Sequence, residues 1–482
     1  MTVALLLDGT NPLGREELGG KAWSVNHMRS LGLDVPPAFV LSTDVCRQTL
    51  VEGWLPEEAN SSLRSGIDAL EHELARSFGS APRPLLVSVR SGAAQSMPGM
   101  MDTLLNVGTN SESLEALATL AGQSFADDVA ARFREQYRRL IGTAPPEDPF
   151  AQLLAATHAV FRSWMSDRAI AYRHHQGMDS EDGTAVTVQA MVFGNLDDLS
   201  GTGVLFTRNP LVGTPEAYGH WLPRAQGEDV VSGRVNPLPL EKLSLAMPDV
   251  HKALLDAARL LEAEALEVQD VEFTVESGRL WLLQTRAAKR SPEAGVRLAV
   301  GLYRDGLIGE EEAKARIEAS GVEALLSRRI NAESREDAVL LASGEPACPG
   351  IGTGTVVGTA DEAERRGADG EEVVMATVTT DPDDVHGMLA SAAVITETGG
   401  ATCHAAVVSR EIGTPCVVGC GSGTVSALIG REVTVDGHDG QVYAGRVGLS
   451  GAAQPEDADL ITAARWFGAT EVGELPGLLR AR

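Results

Sequence analysis

Residues 1–290 alternate between short apolar runs and longer segments whose apolar residues recur at helical spacing. Apolar residues at every third or fourth position predict amphipathic helices, here over 24–32, 112–141 and 251–266. Short apolar runs bounded by turn residues predict strands, which fall at 85–89, 184–193, 203–207, 271–275 and 279–285. Because a Glu-Ser-Gly turn joins the last two runs, we expect a hairpin there. The pattern indicates a mixed α/β region with antiparallel hairpins instead of a regular β-α-β array.

The pattern changes after residue 290. Residues 291–340 are charged and helical, and we expect a solvated helical connector or hinge there. Short strands separated by Gly and Asp turns follow, with one helix over 405–413 that ends at Gly413, a residue suited to a helix C-cap. The segment ITAARWFGATE near the C-terminus predicts a last helix. The fold class is therefore a multidomain α/β protein, divided into residues 1–290, 291–340, 341–447 and 448–482.

Composition narrows the class of protein that this pattern can build. The 482 residues include 40 Lys and Arg against 67 Asp and Glu, a formal net charge of −27 at pH 7, and 43% hydrophobic residues. This hydrophobic content is ordinary for globular domains, so the chain can bury cores. Because nucleic acids and anionic membranes repel an acidic surface, we expect neither as a partner. A local cationic pocket can still bind phosphates.

Cysteine usage and the N-terminal residues predict a cytoplasmic protein. Five cysteines are an odd number and do not suggest a disulfide framework, so a reducing compartment fits them better. The first residues, MTVALLLDGTNP, lack the basic region of a signal peptide. No apolar stretch approaches the roughly 18 residues that a membrane-spanning helix needs. The oligomeric state is not predicted by any of these features.

Phosphate binding is indicated first by Gly19-Gly20-Lys21, which puts flexible backbone and one cation ahead of a predicted helix. Helix N-termini favour anions because their N–H groups are unpaired. The alternative is an ordinary loop–helix junction. The P-loop pattern G-x-x-x-x-G-K-[ST] does not occur, so a nucleotide site here is of another type.

A second candidate is the stretch VSVRSGAAQSMPGMMDTLLNVG at 87–108. A strand delivers Arg90, and small residues then form a loop that carries three methionines. Exposed methionines are unusual in a solvent loop, and a mobile lid over phosphates, with Arg90 and backbone N–H groups as donors, explains them. A buried loop with packed methionines explains them equally well.

A third candidate is the predicted hairpin at 270–290. Side chains alternate along a strand, so Asp270 and Glu272 share one face, as do Gln284 and Arg286. Two carboxylates and an amide oxygen are ligands that Mg²⁺ prefers, and the arginine can neutralise a phosphoryl group in a transition state. The alternative is a cross-strand ion pair on a sheet surface.

The fourth candidate is TGGATCHAAVVSREIGTPCVVGC at 398–420. A Gly-Gly turn leads to His404, which lies at the start of the predicted helix. The helix N-terminus disfavours imidazolium and would stabilise a phosphoryl group on the ring, so the site suits a nucleophilic imidazole. A helix cap or core contact is the ordinary alternative. A zinc site is disfavoured because the adjacent Cys403 and His404 do not easily face one metal ion.

Taken in order, these segments resemble the pyruvate phosphate dikinase and phosphoenolpyruvate synthase family over roughly residues 15–447. The resemblance rests on six motifs in the family's order: GGKAWSVNHMRSLGLDVPPAFVLST, VSVRSGAAQSMPGMMDTLLNVG, VQAMVFGNLDDLSGTGVLFTRNP, AQGEDVVSG, VEFTVESGRLWLLQTR and TGGATCHAAVVSR. It implies an ATP-grasp nucleotide domain followed by a swivelling phosphohistidine domain, with the 291–340 segment as the hinge.

The resemblance also implies roles for individual residues. His404 would take the β-phosphoryl group of ATP and release AMP, with Arg90 and Arg286 as the other catalytic residues. ATP and Mg²⁺ would be bound by a set in which Glu272 and Gln284 are the metal ligands and Ser96 to Thr103 form a lid over the phosphates. The full set implied is Lys21, Arg90, Ser96, Gly99, Met101, Asp102, Thr103, Asp270, Glu272, Gln284 and Arg286.

The resemblance defines the acceptors of the phosphoryl groups less closely. The SMPGMMDT loop resembles the phosphate-using branch of the family, so inorganic phosphate is expected to receive the γ-phosphoryl group, although Cys403 resembles the water-using branch. Thr402 stands where some dikinases are regulated by phosphorylation. Only about 35 residues follow the phosphohistidine domain, against roughly 250 in a (β/α)8 barrel, so the pyruvate barrel of the family is not expected in this sequence.

Three readings of the function therefore stay open. In the first, a separate chain supplies the barrel and the pair acts as a split dikinase on pyruvate. In the second, the chain is a dedicated kinase for another small molecule. In the third, it is a phosphocarrier or regulatory protein that keeps the fold without turnover.

Overall fold

The protein is described from a computed structural model that covers residues 4–95, 97, 100–178, 183–319, 329–450 and 457–480. Its strands are β1 (Ala4–Leu6), β2 (Ala38–Leu41), β3 (Ser77–Phe78), β4 (Pro84–Leu85), β5 (Val87–Gly92), β6 (Thr103–Val107), β7 (Ala185–Ala190), β8 (Gly201–Phe206), β9 (Tyr218–Pro223), β10 (Leu238–Pro239), β11 (Gln269–Glu276), β12 (Arg279–Ala287), β13 (Arg329–Ile330), β14 (Leu340–Ser343), β15 (Glu345–Cys348), β16 (Ile351–Val357), β17 (Val373–Thr377), β18 (Ala393–Thr396), β19 (Cys416–Val418), β20 (Glu432–Asp436), β21 (Gln441–Ala444) and β22 (Leu449–Ser450).

Its α-helices are α1 (Arg15–Ser30), α2 (Thr43–Glu52), α3 (Glu57–Leu74), α4 (Ser111–Ala121), α5 (Gln123–Ile141), α6 (Pro149–Arg162), α7 (Asp167–Gln176), α8 (Gly227–Val231), α9 (Glu241–Ala246), α10 (Pro248–Ala265), α11 (Pro292–Arg304), α12 (Glu310–Ala319), α13 (Ala332–Asp337), α14 (Ala360–Ala368), α15 (Val385–Leu389), α16 (His404–Ile412), α17 (Thr424–Leu428), α18 (Ala458–Trp466) and α19 (Leu475–Arg480). None of these helices is both long and apolar enough to cross a membrane.

The chain divides into two compact units. Unit 1 comprises the described parts of Met1–Thr202, Pro223–Gln226 and Glu272–Arg286. Unit 2 comprises those of Gly203–Leu222, Gly227–Val271 and Ala287–Arg482. Both units contain strands and helices, so the fold class expected from the sequence, multidomain α/β, is confirmed.

Unit 1 is built on a five-stranded antiparallel sheet in the order β1-β2-β7-β5-β6. β2 and β7 are buried along their whole length, because helices such as α3 and α6 contribute to the same hydrophobic core. A strand buried on both faces has no exposed positions to alternate with, which explains the apolar run at 184–193. The hairpin of β11 and β12 also forms as expected, with positive φ at both turn residues, Ser277 and Gly278.

One predicted helix of unit 1 is interrupted. The single helix expected over 112–141 is in fact two helices, α4 and α5. Gly122 separates them with φ of 92°, a conformation that glycine adopts without a steric penalty. The helix periodicity was correct on both sides of the break, and the prediction of one continuous helix was wrong.

Unit 2 contains a mixed eight-stranded sheet in the order β14-β21-β20-β16-β17-β18-β19-β15. The central strands β16 to β19 run parallel, and the flanking pairs run antiparallel. Helix α16 connects β18 to β19, so its N-terminus lies just beyond the carboxyl end of a buried parallel strand. Open parallel sheets commonly place their functional loops at this edge. The C-cap expected at Gly413 is present, with φ of 75°.

Part of the segment expected as a solvated connector is packed in unit 2. Helix α11 buries most of one face, and this face shares a hydrophobic core with the C-terminal helix α18. Residues of this core on α11 include Val296, Ala299 and Val300, and those on α18 include Leu460 and Ala463. α11 is therefore not a solvated helix. The terminal helix expected around ITAARWFGATE is confirmed as α18.

Candidate active site

Glycines at the start of α1 place Lys21 beside strand β5. Gly19 interrupts the helix with φ of 75°, and a side-chain carbon built on it would lie 1.8 Å from the carbonyl oxygen of Gly92. The Gly20 N–H donates to the carbonyl of Ala93 at 2.9 Å. Only glycine allows both the conformation and the close approach. The Gly-Gly pair thus brings Lys21 to the carboxyl end of β5.

Lys21 lies among further charges of unit 1. Its pKa is lowered from the ordinary 10.5 to about 7, chiefly by burial; the Arg90 and Arg286 charges also lower it, and the Glu272 charge raises it. A lysine in such surroundings is only partly charged at neutral pH. An anion bound among these three cationic side chains would restore its charge. The cluster is therefore suited to a polyanion such as a polyphosphate.

Glu272 stands at the centre of this cluster. Its Oε2 accepts from Nη2 of Arg90 at 3.3 Å, and its Oε1 accepts from Nε2 of Gln284 at 2.5 Å. The ion pair is well shielded, since the two side chains are only 18% and 19% exposed. Oε1 of Gln284 is buried and lacks a hydrogen-bond partner. A carboxylate beside an orphaned amide oxygen is a donor set that fits Mg²⁺.

The structure describes part of the loop between β5 and β6. Thr103 opens β6 and pairs across the sheet with Arg90, so it lies beside the cationic cluster. The carboxylate of Asp102 forms an ion pair with Arg168 at 2.5 Å, and the guanidinium of Arg168 also donates to the carbonyl of Met100 at 3.1 Å. Arg168 therefore ties the end of this loop to α7.

One interpretation of the sequence required the methionines of this loop to be exposed. They are not exposed in the structure. Met97 is 8% exposed, Met100 is fully buried, and Met101 is half-buried. The side-chain packing of the first two matches the alternative left open, a loop that buries its methionines. The expected phosphate-lid residues Ser96 and Gly99 lie outside the described residues.

Asp270 precedes Glu272 by two positions on β11, so the two side chains point to the same face of the strand, as expected. Asp270 is 3% exposed. The boundary between the units falls between these two residues, with Asp270 in unit 2 and Glu272 in unit 1.

His404 is the first residue of α16 in unit 2, the position expected from the sequence. Its Nδ1 lies 3.1 Å from the hydroxyl of Thr380, which follows β17 by three residues. When Nδ1 carries the proton and donates it to Thr380, Nε2 keeps its lone pair and is the nucleophilic nitrogen. The adjacent helix N-terminus stabilises negative charge near the ring. The arrangement suits a histidine that carries a phosphoryl group.

The cysteines near His404 do not form a metal site with it. Within the described parts of the chain, no three His, Cys, Asp or Glu side chains come together as metal ligands would. Cys403, Cys416 and Cys420 are free thiols, and burial raises the pKa of each. Neutral buried thiols are poor ligands and poor nucleophiles.

Three residues near these sites were missed by reasoning from the sequence. Thr380 and His220 both contact the segment around His404, and Arg168 pairs with Asp102. His220 lies 182 positions before its partner Thr402, so no local spacing links them. For Thr380, one sequence signal could have indicated a functional role: it is a polar residue three positions beyond a buried strand.

The fold and these sites define a class of protein. Unit 1 carries a cationic cluster with a magnesium-suited pair of oxygen donors, and unit 2 carries a histidine at a helix N-terminus in a mixed sheet. Both features suit a phosphotransferase that passes a phosphoryl group from a nucleotide through a histidine.

Comparison with known proteins agrees with this class. The AMP/ATP-binding domain of pyruvate phosphate dikinase matches residues 54–240, and the mobile domain of PEP-utilising enzymes matches residues 369–440. Over 92% of its own length, the chain is 39% identical to the pyruvate, phosphate dikinase of Rhizobium meliloti (strain 1021). It is 38% identical to the pyruvate, phosphate dikinase of Clostridium symbiosum over 90% of its own length, and 38% identical to pyruvate, phosphate dikinase 2 of Zea mays over 92%. It spans 57% of the length of each of these relatives. The chain belongs to the pyruvate phosphate dikinase family.

Proposed function

We propose that the chain is an AMP-forming, ATP-dependent phosphotransferase in which His404 is transiently phosphorylated. The observation that carries the proposal is the cluster of Lys21, Arg90 and Arg286 with Glu272. Arg90 lies within residues 54–240, which match an AMP/ATP-binding domain. Three cations against one carboxylate are suited to a nucleotide polyphosphate.

In the proposed reaction, ATP, inorganic phosphate and His404 give AMP, pyrophosphate and phosphohistidine. The bond between the β-phosphorus of ATP and the oxygen that bridges it to the α-phosphorus breaks, and AMP keeps this oxygen. The β-phosphorus forms its new bond to Nε2 of His404. The bond between the γ-phosphorus and the β–γ bridging oxygen also breaks: an oxygen of inorganic phosphate bonds to the γ-phosphorus and gives pyrophosphate, and the bridging oxygen stays on the phosphohistidine. Thr380 holds the proton on Nδ1 throughout, so the neutral ring attacks without first losing a proton.

Magnesium has a place in this proposal. Glu272 and Gln284 would hold the ion, which neutralises phosphoryl oxygens and so favours attack on phosphorus. The residues fit this role because the amide oxygen of Gln284 is buried without a partner beside the Glu272 carboxylate. Arg90 and Arg286 would contact the phosphates directly, and Thr103, beside Arg90, would face the same group.

The proposed acceptors are supported by one sequence motif and by the names of the relatives. We propose inorganic phosphate for the γ-phosphoryl group, on the SMPGMMDT loop, and pyruvate for the phosphoryl group on His404, because the relatives are named pyruvate, phosphate dikinases. The pyruvate site would be supplied by a (β/α)8 barrel on a separate chain. A dedicated small-molecule kinase is the variant of this proposal in which another molecule replaces pyruvate.

The test uses the purified chain with ATP labelled at the β-phosphorus, Mg²⁺ and inorganic phosphate. We expect AMP and pyrophosphate in equal amounts and one acid-labile, base-stable phosphoryl group on the protein. Omitting inorganic phosphate should stop pyrophosphate formation; release of inorganic phosphate instead would show that water is the acceptor. Nucleotide binding too weak to measure would contradict the proposal and favour a phosphocarrier or regulatory protein.

The pKa of Lys21 leads to a prediction about proton uptake. With a pKa of about 7, roughly nine tenths of the lysine is neutral at pH 8, and bound phosphates would raise that pKa and charge the amine. Binding of MgATP at pH 8 should therefore take up close to one proton, and binding at pH 6 far less. Calorimetry in two buffers of different ionisation enthalpy measures this number.

The control for proton uptake is Lys21→Arg, since arginine is charged at both pH values. This variant should bind MgATP at pH 8 without taking up the proton. Equal uptake by the variant and the wild-type protein would show that another group titrates.

The cellular location is proposed from the thiols. All five cysteines are free, and four of them are buried. This state fits the reducing cytoplasm expected from the sequence.

A further inference from the structure

His220 of strand β9 lies between two polar groups of the segments around His404. Its Nδ1 is 3.1 Å from the hydroxyl of Thr402, and its Nε2 is 3.1 Å from Oε1 of Glu345. His220 is 5% exposed, so its ring is largely shielded from water. All of these residues belong to unit 2. A carboxylate, an imidazole and a hydroxyl thus form a continuous hydrogen-bonded chain.

Glu345 determines which nitrogen of His220 carries the proton. Burial by itself would raise the pKa of Glu345, but the hydrogen bonds that it accepts from His220, the Tyr218 hydroxyl and the backbone N–H of Ala401 hold it below the ordinary value. The ionised carboxylate accepts the proton on Nε2. In the tautomer with its proton on Nε2, Nδ1 accepts from the hydroxyl of Thr402.

The loop ahead of His404 is consequently held at three successive residues. The Ala401 N–H donates to Glu345, and Thr402 donates to His220. A side-chain carbon on Gly400 would come within 2.9 Å of the His220 ring and 3.1 Å of the Glu345 carboxylate, so this glycine lets both groups close on the backbone. The loop continues directly into the first turn of α16.

A second set of contacts holds the same loop from the segment that follows α8. The Gly399 N–H donates to Oδ1 of Asn236 at 2.8 Å, and Gly233 packs so closely that an added side-chain carbon would lie 3.3 Å from Cβ of Cys403. Cys403 is 2% exposed as a result. Reactivity of the Cys403 thiol therefore reports how firmly the loop is held.

We infer that His220, oriented by Glu345, is a positioning residue that fixes the Gly400–Thr402 loop and with it the direction in which the His404 ring faces an incoming phosphoryl group. This inference rests on the proposed function. Phosphoryl transfer needs an in-line approach of the nucleophile, and a misplaced ring loses rate without losing nucleotide affinity. His220 does not touch the reacting atoms.

The experiment compares the wild-type chain with His220→Ala, Thr402→Val and the double variant, each with MgATP and phosphate. At saturating ATP, the rate of His404 labelling should fall about tenfold in each single variant, while the Kd for ATP stays within about twofold. Because both residues act through one hydrogen bond, the double variant should be no slower than the slower single variant. Additive losses would overturn the inference.

A second readout does not depend on phosphorylation. Alkylation of Cys403 by N-ethylmaleimide, mapped by mass spectrometry, should be at least about tenfold faster in His220→Ala than in the wild type, with buried Cys46 of unit 1 as the internal control. His386→Ala is the matched variant: His386 also pairs with a carboxylate in unit 2, that of Asp361 at 3.0 Å, and should change neither readout.

The outcomes distinguish a failure of the proposed function from a failure of the inference about His220. An unlabelled wild-type protein would refute the proposed function, whatever the variants do. A labelled wild type together with normal labelling or unchanged Cys403 alkylation in His220→Ala would refute the role of His220 alone. Thr402→Val, which keeps the side-chain volume, decides the matter if His220→Ala does not fold.

Discussion

Replacing His404 by alanine is expected to abolish transfer of the β-phosphoryl group of ATP to the protein. His404 is the first residue of α16, its Nδ1 is held by Thr380, and its Nε2 is the proposed attacking atom. Alanine removes the nucleophile and leaves no equivalent side chain at this helix terminus. Labelling should fall to background, by a factor of at least about 1,000. ATP affinity should not change, because the proposed nucleotide ligands lie elsewhere in the sequence.

The measurement is the amount of acid-labile label on the protein after incubation with ATP labelled at the β-phosphorus. His386→Ala serves as the control, since this histidine lies on α15 of the same sheet domain and forms only a partly exposed pair with Asp361. It should label as the wild type does. Normal labelling of His404→Ala would mean that another residue carries the phosphoryl group and that the proposed mechanism is wrong.

Replacing Glu272 by glutamine is expected to lower the rate of His404 labelling by on the order of 100-fold at low millimolar Mg²⁺. The amide keeps the size of the side chain but loses the charge that pairs with Arg90 and that would bind the metal ion. Because the metal site is weakened and not removed, raising the Mg²⁺ concentration should restore part of the rate. The wild-type rate should already be saturated over that range.

The matched control is Glu276→Gln, on the same strand and the same face four positions further along. The carboxylate of Glu276 accepts from the backbone N–H of Phe193 at 2.9 Å, and the amide oxygen of glutamine can accept the same bond. Its labelling rate should stay within about twofold of wild type at every Mg²⁺ concentration. An identical Mg²⁺ dependence in Glu272→Gln and wild type would exclude Glu272 as a metal ligand.

Much of the fold was predictable because local pattern and local geometry agree. The turn at Ser277 and Gly278 needs positive φ, and a Ser-Gly pair between two apolar runs predicts such a turn. Gly413 at the end of α16 follows the same rule. Gly122 was the failure of this reasoning, since periodicity continued across it while its backbone broke the helix.

Burial was harder to predict than secondary structure. Met97 and Met100 lie in a loop whose composition suits either a lid or a packed segment, and in the structure both are buried. Helix α11 likewise follows a charged pattern, but α18 covers its apolar face. Hydrophobic burial depends on which surfaces meet, and that information is absent from a local window of sequence.

The sequence by itself determined the order of the motifs, the strands and helices that carry them, and the position of His404 at a helix N-terminus. These properties depend on residues a few positions apart, so turn chemistry and periodicity specify them. The tertiary structure alone decided that Arg90 meets Glu272 and that His220 meets Thr402, each pair separated by 182 positions. It also decided the shielding that lowers the pKa of Lys21 to about 7. Charge, solvation and hydrogen-bond geometry act over a few ångströms of space, whatever the separation along the chain.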